Sequence, residues 1–322
     1  MILDSRTADK IRNFMSPLAS EMDVTESLRI FSLIVAGPTA SGKSGLALTL
    51  AEQLNGAIIN ADSMQVYREL TTLTARPSRD DERRRPHRLY GVLSAAEPCS
   101  AALWRERAVA EIRAAAAEGL LPIIVGGTGL YIKALVEGLS PIPEIPTSIR
   151  AAVRVRMENS GPETLHAELA KHDPTTAARL RPQDPQRLTR AWEVLEASGR
   201  SLTEWQALPP SGAPPDMSFA MIALSPPRER LYAACDGRFR QMIARGALEE
   251  ARTLMESELD RSLPIFKALG LPELMRTLEG ELDLETAVTL AQTTTRHYAK
   301  RQATWFRHQT PKHDIPVLTL SE

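Results

Sequence analysis

The chain has 322 residues, of which 43% are hydrophobic and 25% charged, and its formal net charge is −1, which is ordinary for a globular protein of one large or two modest domains. Its two cysteines, Cys99 and Cys235, lack metal-ligand spacing and indicate a reduced, cytoplasmic setting. No apolar run approaches the ~20 residues of a membrane-spanning helix, so we expect no membrane partner.

Residues 1–28 precede the first predicted strand and carry charge without an apolar stretch. This pattern excludes a secretory signal peptide. We therefore expect an N-terminal extension over residues 1–28.

A phosphate-binding loop is predicted near the N-terminus. The stretch Phe31–Ala36 predicts a buried strand, and Gly-Pro-Thr-Ala-Ser-Gly-Lys-Ser at residues 37–44 fits the pattern G-x-x-x-x-G-K-[ST] before a predicted helix. Glycines let the backbone approach a ligand closely, and N–H groups at a helix N-terminus attract phosphate oxygens. Lys43 adds a cation, and the Ser44 hydroxyl suits Mg²⁺. A plain glycine-rich turn would leave these two residues unexplained, so we expect a bound phosphate or diphosphate.

A second short strand is predicted over residues 56–61, and Asp62 follows it. Ligands of open α/β sheets lie at the carboxyl ends of the strands. Asp62 is therefore a candidate for Mg²⁺ binding or for base catalysis. The alternative is that Asp62 only caps a following helix.

The next segment continues the alternation of strands and helices. Residues 71–100 are polar and rich in proline, which predicts a loop-rich excursion. A helix over residues 100–119 then leads to a third buried strand, Leu120–Val125, and a second glycine-rich turn at residues 126–129. Thr128 in this turn could offer its hydroxyl to a ligand. This alternation predicts a parallel sheet with crossover helices.

An all-helical insertion is predicted over residues 143–205, between core segments 29–142 and 206–322. Only helical patterns occur here, with breaks at Gly161-Pro162, at Asp173-Pro174 and near Pro185. The proline-rich residues 206–216 form a return linker, and Phe219–Leu224 resumes the sheet.

The remainder of the chain is predicted to be helical. Arg238 lies in the first of these helices and could close on a bound phosphate, although a surface arginine is an alternative. Two arginine- and lysine-rich clusters, at residues 76–88 and 296–312, suggest an anionic partner, and the alternative for each is a solvated helix face. In the final helix Trp305 and Phe306 either stack on bases or belong to the core.

Seven motifs resemble, in order, those of bacterial tRNA dimethylallyltransferases. They are GPTASGKS at 37–44, DSMQVY at 62–67, TARP at 74–77, PHRL at 86–89, VGGTGLY at 125–131, DPQRLTR at 184–190 and KRQATWFR at 300–307. The resemblance covers roughly residues 31–308. It implies an α/β fold with a P-loop NTPase-like parallel sheet flanked by helices, together with an all-helical insertion domain.

The resemblance also implies a reaction. Such enzymes move a dimethylallyl group from dimethylallyl diphosphate to N6 of the adenosine next to the anticodon on its 3′ side, in tRNAs that read codons beginning with U. Mg²⁺ is the implied cofactor and the tRNA anticodon stem-loop the implied partner. We expect a cytoplasmic monomer.

The implied site residues fall into four groups. The catalytic residues are Asp62, Thr128, Lys43 and Arg238. The diphosphate-binding residues are Gly37, Pro38, Thr39, Ala40, Ser41, Gly42, Lys43, Ser44 and Arg238. The metal-binding residues are Ser44 and Asp62. The tRNA-binding residues are Asp62, Ser63, Met64, Gln65, Thr128, Arg150, Gln186, Arg187, Leu188, Thr189, Arg190, Phe266, Lys267, Lys300, Arg301, Gln302, Trp305 and Arg307.

Two stretches depart from the family pattern. Residues 268–272 lack the usual aromatic residue and cation, and residues 71–73 replace the usual Asp-Ile-Gly. The rival hypotheses are a small-molecule kinase built on the same loop and an enzyme that prenylates free adenine nucleotides. A non-catalytic RNA-binding protein is a further alternative.

Overall fold

A parallel sheet of six strands forms the centre of the larger of two compact units in this computed structural model, which describes residues 5–18, 29–310 and 315–321. The strand order is β3-β2-β4-β1-β5-β6. The strands are β1 (Ile30–Ala36), β2 (Gly56–Asn60), β3 (His87–Arg88), β4 (Leu121–Gly126), β5 (Met217–Leu224) and β6 (Val317–Leu320).

The described residues form thirteen α-helices, and those that belong to the sheet unit cover both faces of the sheet. They are, in chain order, α1 (Ser5–Met15), α2 (Lys43–Gln53), α3 (Arg79–Arg84), α4 (Ala101–Ala117), α5 (Gly129–Val136), α6 (Thr147–His172), α7 (Pro174–Ala177), α8 (Pro185–Ser198), α9 (Leu202–Ala207), α10 (Arg228–Ala244), α11 (Ala247–Glu256), α12 (Leu271–Leu278) and α13 (Leu284–Gln309). Short 3₁₀ helices span Ser16–Leu18 and Pro264–Lys267.

The central strands are almost continuously apolar because both of their faces are buried. In β1, Ile34 joins the core on one side of the sheet together with Trp104. Its neighbours Leu33 and Val35 join the core on the other side, where Leu46 of α2 packs. Consecutive side chains therefore serve opposite layers, as a strand with a period of two requires.

The site is determined by where β1 lies. β1 pairs in parallel with β4 on one side and with β5 on the other, with Leu33 opposite both Ile123 and Ala220. The chain therefore leaves β1 and β4 at the same edge of the sheet, and β2, paired with β4, ends there too. Loops that follow adjacent parallel strands at such a switch point form the usual ligand crevice of an open α/β sheet.

The second compact unit is Glu137–Gly212, and its described elements, α6 to α9, are all helical. Leu165, Leu188 and Trp192 are buried in its core. The predicted breaks are confirmed: Gly161 has a φ of 74° and interrupts α6, and α7 and α8 begin at Pro174 and Pro185. Asp173 and Asp184 cap these last two helices with side-chain hydrogen bonds.

The parallel α/β fold is confirmed, but three elements depart from the predictions. The C-terminal region is not entirely helical, because β6 pairs with β5 and places Leu318 opposite Ile222. The loop-rich segment 71–100 contains α3 and the two-residue strand β3. Both strands are too short for a hydrophobic period to develop, so the pattern could not reveal them.

The N-terminal extension contributes to the core where the structure describes it. Ile11, Met15 and Leu18 are buried against the same layer as Phe31 and Leu50. Residues 5–18 therefore pack on the sheet unit, and the remainder of the predicted extension, residues 1–4 and 19–28, lies outside the described residues.

Candidate active site

A cavity of about 510 Å³ opens where β1 and β2 end. It is lined by residues of the predicted phosphate loop, by Asp62 and by one face of α10. The lining residues are Thr39, Ala40, Gly42, Lys43, Ser44, Gly45, Asp62, Gln65, Thr74, Ala75, Ala234, Gly237, Arg238 and Gln241. The structure thus brings three of the four predicted catalytic residues, Lys43, Asp62 and Arg238, to one cavity.

The backbone of the phosphate loop explains its glycines. Gly42 has a φ of 89° and precedes the first residue of α2, a conformation in which a Cβ would be strained. At Gly37, a Cβ would lie 3.0 Å from both the Leu224 Cβ and the Ser41 Oγ, so only glycine leaves the loop its tight turn. The N-terminus of α2 therefore opens into the cavity, where its free N–H groups and the helix dipole favour an anion.

Two cations flank this helix start. The Lys43 Nζ donates to the Pro38 carbonyl at 3.2 Å, and the Arg238 guanidinium donates to the Thr39 Oγ1. Burial lowers the pKa of Lys43 to about 8, although the negative charge of Asp62 opposes this shift. Burial also lowers the pKa of Arg238. Cations that have lost hydration are poised to bind an anion, because a phosphate group replaces the interactions that water no longer makes.

Asp62 is held at the cavity by hydrogen bonds to residues within two positions of it in the chain. The Asp62 N–H donates to the Asn60 Oδ1 at 2.8 Å, and the Asp62 Oδ1 accepts the Met64 N–H at 3.0 Å. Asn60 is fully buried and also donates to the carbonyls of Asp62 and Leu89. No helix begins after Asp62, so its side chain closes a local turn instead of capping a helix. Among the described residues, its second oxygen, Oδ2, makes no hydrogen bond.

The negative charge of the Asp62 carboxylate also acts on Tyr298 of α13. Burial raises the pKa of Tyr298 to about 12, and the negative charge of Asp62 adds to this shift. Burial and the same charge also raise the pKa of Tyr90. Asp62 therefore acts on groups from several elements around the cavity.

The oxygen donors at the cavity could supply only part of the coordination shell of a Mg²⁺ ion. The Ser44 hydroxyl and the Asp62 carboxylate are hard oxygen donors and line the same space. Across the described residues no cluster of three or more His, Cys, Asp or Glu side chains could hold a metal ion. This arrangement fits Mg²⁺, which is typically held by one or two protein groups, with substrate phosphates and water completing its octahedron.

The second glycine-rich turn has a different environment. A Cβ on Gly126 would lie 2.0 Å from the Ala61 carbonyl oxygen, and a Cβ on Gly129 would lie 2.4 Å from the Trp305 ring. Thr128 is not among the residues that line the cavity, but its Oγ1 accepts the Ser63 N–H at 3.0 Å. Thr128 thus supports the residue that follows Asp62.

The predicted tRNA-binding residues separate into exposed and buried groups. Those exposed in the sheet unit are Lys267, Lys300, Arg301 and Arg307, and those exposed in the helical unit are Arg150, Gln186 and Arg187. Those partly buried are Asp62, Ser63, Met64, Gln65, Thr128, Thr189, Arg190 and Trp305. Those buried are Leu188, Phe266 and Gln302, whose side chains pack inside the protein instead of lying at its surface.

The arginine-rich segment at residues 76–88 is largely neutralised by the protein itself. Arg84 forms a two-pronged pair with Glu52 at 2.8 and 2.9 Å. Arg88 is 13% exposed and pairs with Glu118 at 2.6 Å. Arg85 donates to the Gly56 carbonyl at 2.8 Å. These contacts, together with the exposed helix α3, favour the alternative of a solvated helix face for this cluster over an RNA-binding surface.

The departure at residues 71–73 has a structural counterpart that the sequence did not reveal. The Glu250 carboxylate of α11 accepts the N–H groups of Thr71, Thr72 and Leu73 at 2.6 to 2.9 Å. The loop that follows carries Thr74, whose carbonyl accepts the Gln65 Nε2 at 2.7 Å beside the cavity. Glu250 lies about 180 positions away in the chain, so no local pattern could have indicated it.

The second departure, at residues 268–272, is also accommodated. Gly270 has a φ of 85° and caps α12, and a Cβ there would lie 2.2 Å from the Phe239 ring. Pro272 occupies the first turn of α12, where its missing N–H costs no hydrogen bond. Leu271 fills the core in this stretch.

No helix in the described part of the chain is both long and apolar enough to cross a membrane. The family model described as IPP transferase matches residues 65–309. A tRNA dimethylallyltransferase of Nitrobacter hamburgensis is 56% identical over 283 residues, covering 87% of this chain and 89% of the relative. A second relative with the same description, from Rhodospirillum centenum, is 54% identical over 277 residues, with 86% and 88% covered.

Solved structures show the same likeness. The tRNA isopentenylpyrophosphate transferase of Bacillus halodurans is 30% identical, with a TM-score of 0.64 and 91% of both chains covered. A eukaryotic dimethylallyltransferase described as acting on tRNA is 26% identical, with a TM-score of 0.75, over 91% of this chain and 74% of the other.

Proposed function

This chain belongs to the IPP transferase family of prenyltransferases, and we propose that it transfers a dimethylallyl group from dimethylallyl diphosphate to N6 of the adenosine on the 3′ side of the anticodon. The acceptors are tRNAs that read codons beginning with U, and the enzyme works as a cytoplasmic monomer. The observation that carries the proposal is the single cavity lined by Lys43, Asp62 and Arg238. One face of it suits a diphosphate, and the other offers a carboxylate.

The reaction makes one bond and breaks another. The N6 nitrogen of adenine attacks C1 of the dimethylallyl group, the bond between C1 and the diphosphate oxygen breaks, and the diphosphate leaves with the bonding electrons. The nitrogen must also lose one proton, and the Asp62 carboxylate is the acceptor that we propose. An exocyclic amine is a poor nucleophile unless a base within hydrogen-bond reach takes its proton.

The phosphate loop supplies the leaving-group side. The N-terminal amides of α2, the Lys43 ammonium and the Arg238 guanidinium would neutralise the charge that builds on the diphosphate. The loss of hydration that lowers the pKa of Lys43 strengthens its attraction for this charge. Mg²⁺, held by Ser44 and Asp62 with the diphosphate, would supply Lewis-acid stabilisation of the same oxygens.

The acceptor side requires single-stranded RNA. Adenine must leave the stack of the anticodon loop to reach the cavity, and loops of this kind are read by base edges and stacking. Lys300, Arg301 and Arg307 form an exposed basic face of α13, and no ion pair reaches them within residues 5–18, 29–310 and 315–321. They are the phosphate contacts that we propose in the sheet unit.

A transfer assay with matched acceptors tests the proposal. The protein is incubated with Mg²⁺, labelled dimethylallyl diphosphate and an anticodon stem-loop that carries adenosine at the 3′-adjacent position. The control stem-loop carries guanosine there, and two further reactions contain AMP or ATP with candidate metabolites. We expect label in the adenosine stem-loop alone.

Other outcomes contradict the proposal in distinguishable ways. Labelling of AMP at a comparable rate would identify an enzyme of free nucleotides. ATP turnover that a metabolite stimulates, without prenyl transfer, would identify a kinase. Equal labelling of both stem-loops would exclude N6 of the 3′-adjacent adenosine as the acceptor.

A further inference from the structure

Gln302 of α13 is buried between the two glycine-rich turns. Only 6% of the surface of Gln302 is exposed. The Gln302 Oε1 accepts the Thr39 N–H at 2.8 Å, and the Gln302 Nε2 donates to the Gly127 carbonyl at 2.7 Å. One amide therefore joins the phosphate loop to the turn that follows β4.

Each end of this bridge leads to a proposed catalytic group. On one side, the Thr39 Oγ1 accepts a hydrogen bond from Arg238, and both residues line the cavity. On the other side, Gly127 precedes Thr128, whose Oγ1 accepts the N–H of Ser63, the residue after Asp62. A chain of contacts through Gln302 therefore connects the donor site with the base.

An amide meets the chemical demands of the bridge. The Thr39 N–H can only donate and the Gly127 carbonyl can only accept, so the bridging side chain must provide one acceptor and one donor. A Cβ on Gly127 would lie 2.3 Å from the Gln302 Nε2 and 3.0 Å from the Gly37 carbonyl oxygen. The absence of a side chain at Gly127 creates the space that the amide fills.

The same helix carries the exposed basic face. Lys300 and Arg301 immediately precede Gln302, and Trp305 lies one turn further along against Gly129. One helix therefore carries both the exposed cations and the amide that joins the two turns.

We propose that Gln302 is a positioning residue for prenyl transfer. It holds the phosphate loop and the Gly127–Thr128 turn at a fixed separation, so that the dimethylallyl donor and the Asp62 carboxylate lie at the distance that transfer requires. This inference rests on the proposed function. Gln302 touches no substrate in this account, because both of its polar groups are engaged by the protein.

Three substitutions test this role. Gln302→Leu removes both hydrogen bonds, and Gln302→Glu keeps the acceptor but donates only when its carboxyl group is protonated. Gln292→Leu is the matched control, because Gln292 is a buried glutamine on the same helix that donates to the Asp236 carbonyl and reaches neither turn. The measurements are melting temperature, affinity for inorganic diphosphate, and kcat and KM for the stem-loop.

For Gln302→Leu we expect kcat to fall by roughly 10- to 100-fold, because small misplacements of reacting groups cost about this much. The KM for the stem-loop should stay within about twofold. Gln292→Leu should lower the melting temperature to a similar extent but leave kcat within about twofold. The activity of Gln302→Glu relative to the wild type should recover as the pH falls, because the protonated carboxyl can both accept and donate.

Two results would overturn the inference. A raised KM for the stem-loop with an unchanged kcat would make Gln302 a direct RNA contact. Equal kcat losses in Gln302→Leu and Gln292→Leu would make it a residue of general stability only. If the wild type transfers no prenyl group, the proposed function fails instead, and diphosphate affinity of the two variants still reports whether Gln302 shapes the loop.

Discussion

The two glycine-rich turns of this protein follow adjacent strands and look alike in sequence, but they accommodate different neighbours. The turn after β1 opens into the cavity, with Lys43 and the start of α2 facing it. The turn after β4 is filled by protein: Ala61, Gln302 and Trp305 occupy the space where side chains would lie. A glycine after a parallel strand therefore signals close approach, and only the accompanying Lys43-Ser44 identifies a ligand as the group that approaches.

Replacing the cation of the first turn should have the largest effect. Lys43→Met keeps the length of the side chain but removes the charge, and we expect kcat/KM for the donor to fall by about 10²- to 10³-fold. Lys171→Met, at an exposed position of α6, is the control. Steady-state kinetics at varied donor concentration measure the effect, and a loss of less than threefold would remove Lys43 from the proposed machinery.

Filling the second turn should cost stability. Gly129→Ala would place a methyl group 2.4 Å from the Trp305 ring, and we expect the free energy of unfolding to fall by roughly 1–3 kcal/mol. Gly237→Ala is the control, because this residue is helical and no atom beyond its chain neighbours and its own helix backbone lies within 4 Å of a Cβ there. Denaturant titration compares the variants. If Gly129→Ala were as stable as the control, close packing would not explain this glycine.

The first turn should also respond to pH. The pKa of Lys43 is lowered to about 8, so the ammonium loses its proton as the pH rises through this value, and donor affinity should then fall by up to about tenfold per pH unit. The sign follows because the diphosphate binds the charged form. Lys43→Arg should flatten the profile, since a guanidinium stays charged in this range. Isothermal titration from pH 7 to pH 9.5 measures the trend, and a flat wild-type profile would contradict it.

The exposed cations of α13, the helix that covers the second turn, should have the smallest effect per residue, and this effect is on affinity for the stem-loop. Removing one cation from the outer face of α13, for example with Arg301→Ala, should reduce the slope of log affinity against log salt for the stem-loop by roughly one. Arg84→Ala, in the neutralised segment, should leave this slope unchanged because Arg84 already pairs with Glu52. Identical slopes for the two variants would mean that the two basic clusters do not differ in function.

Elements of the fold and of the site could be predicted from the sequence wherever a local pattern of residues identifies them. The strands before both turns and the phosphate loop could be predicted, because apolar runs and glycine spacing are properties of a short stretch. Asp62 could be located because it follows a buried strand directly. Each of these elements was identified from residues within its own short stretch of the chain.

The rest depends on contacts between distant parts of the chain. Gln302 and Phe266 were assigned to the RNA by resemblance, but their burial follows from how α13 and the joint before α12 pack, which no local period reveals. The hydrogen bonds from residues 71–73 to the Glu250 carboxylate and the pairing of the edge strand β6 with β5 could not be predicted from the sequence for the same reason. In the arginine-rich segment, the acidic partners Glu52 and Glu118 come from α2 and from the end of α4, so counting local charges overstated its basic character.

The central claim is that the carboxylate of Asp62 takes the proton from the attacking amine beside a diphosphate held by the first turn. Single-turnover transfer by Asp62→Asn tests it most directly, because an asparagine can still accept the Met64 N–H and keep the local turn. We predict that transfer slows by about 10²- to 10⁴-fold while the protein remains folded and the stem-loop remains bound. Transfer by Asp62→Asn within threefold of the wild-type rate would contradict the account.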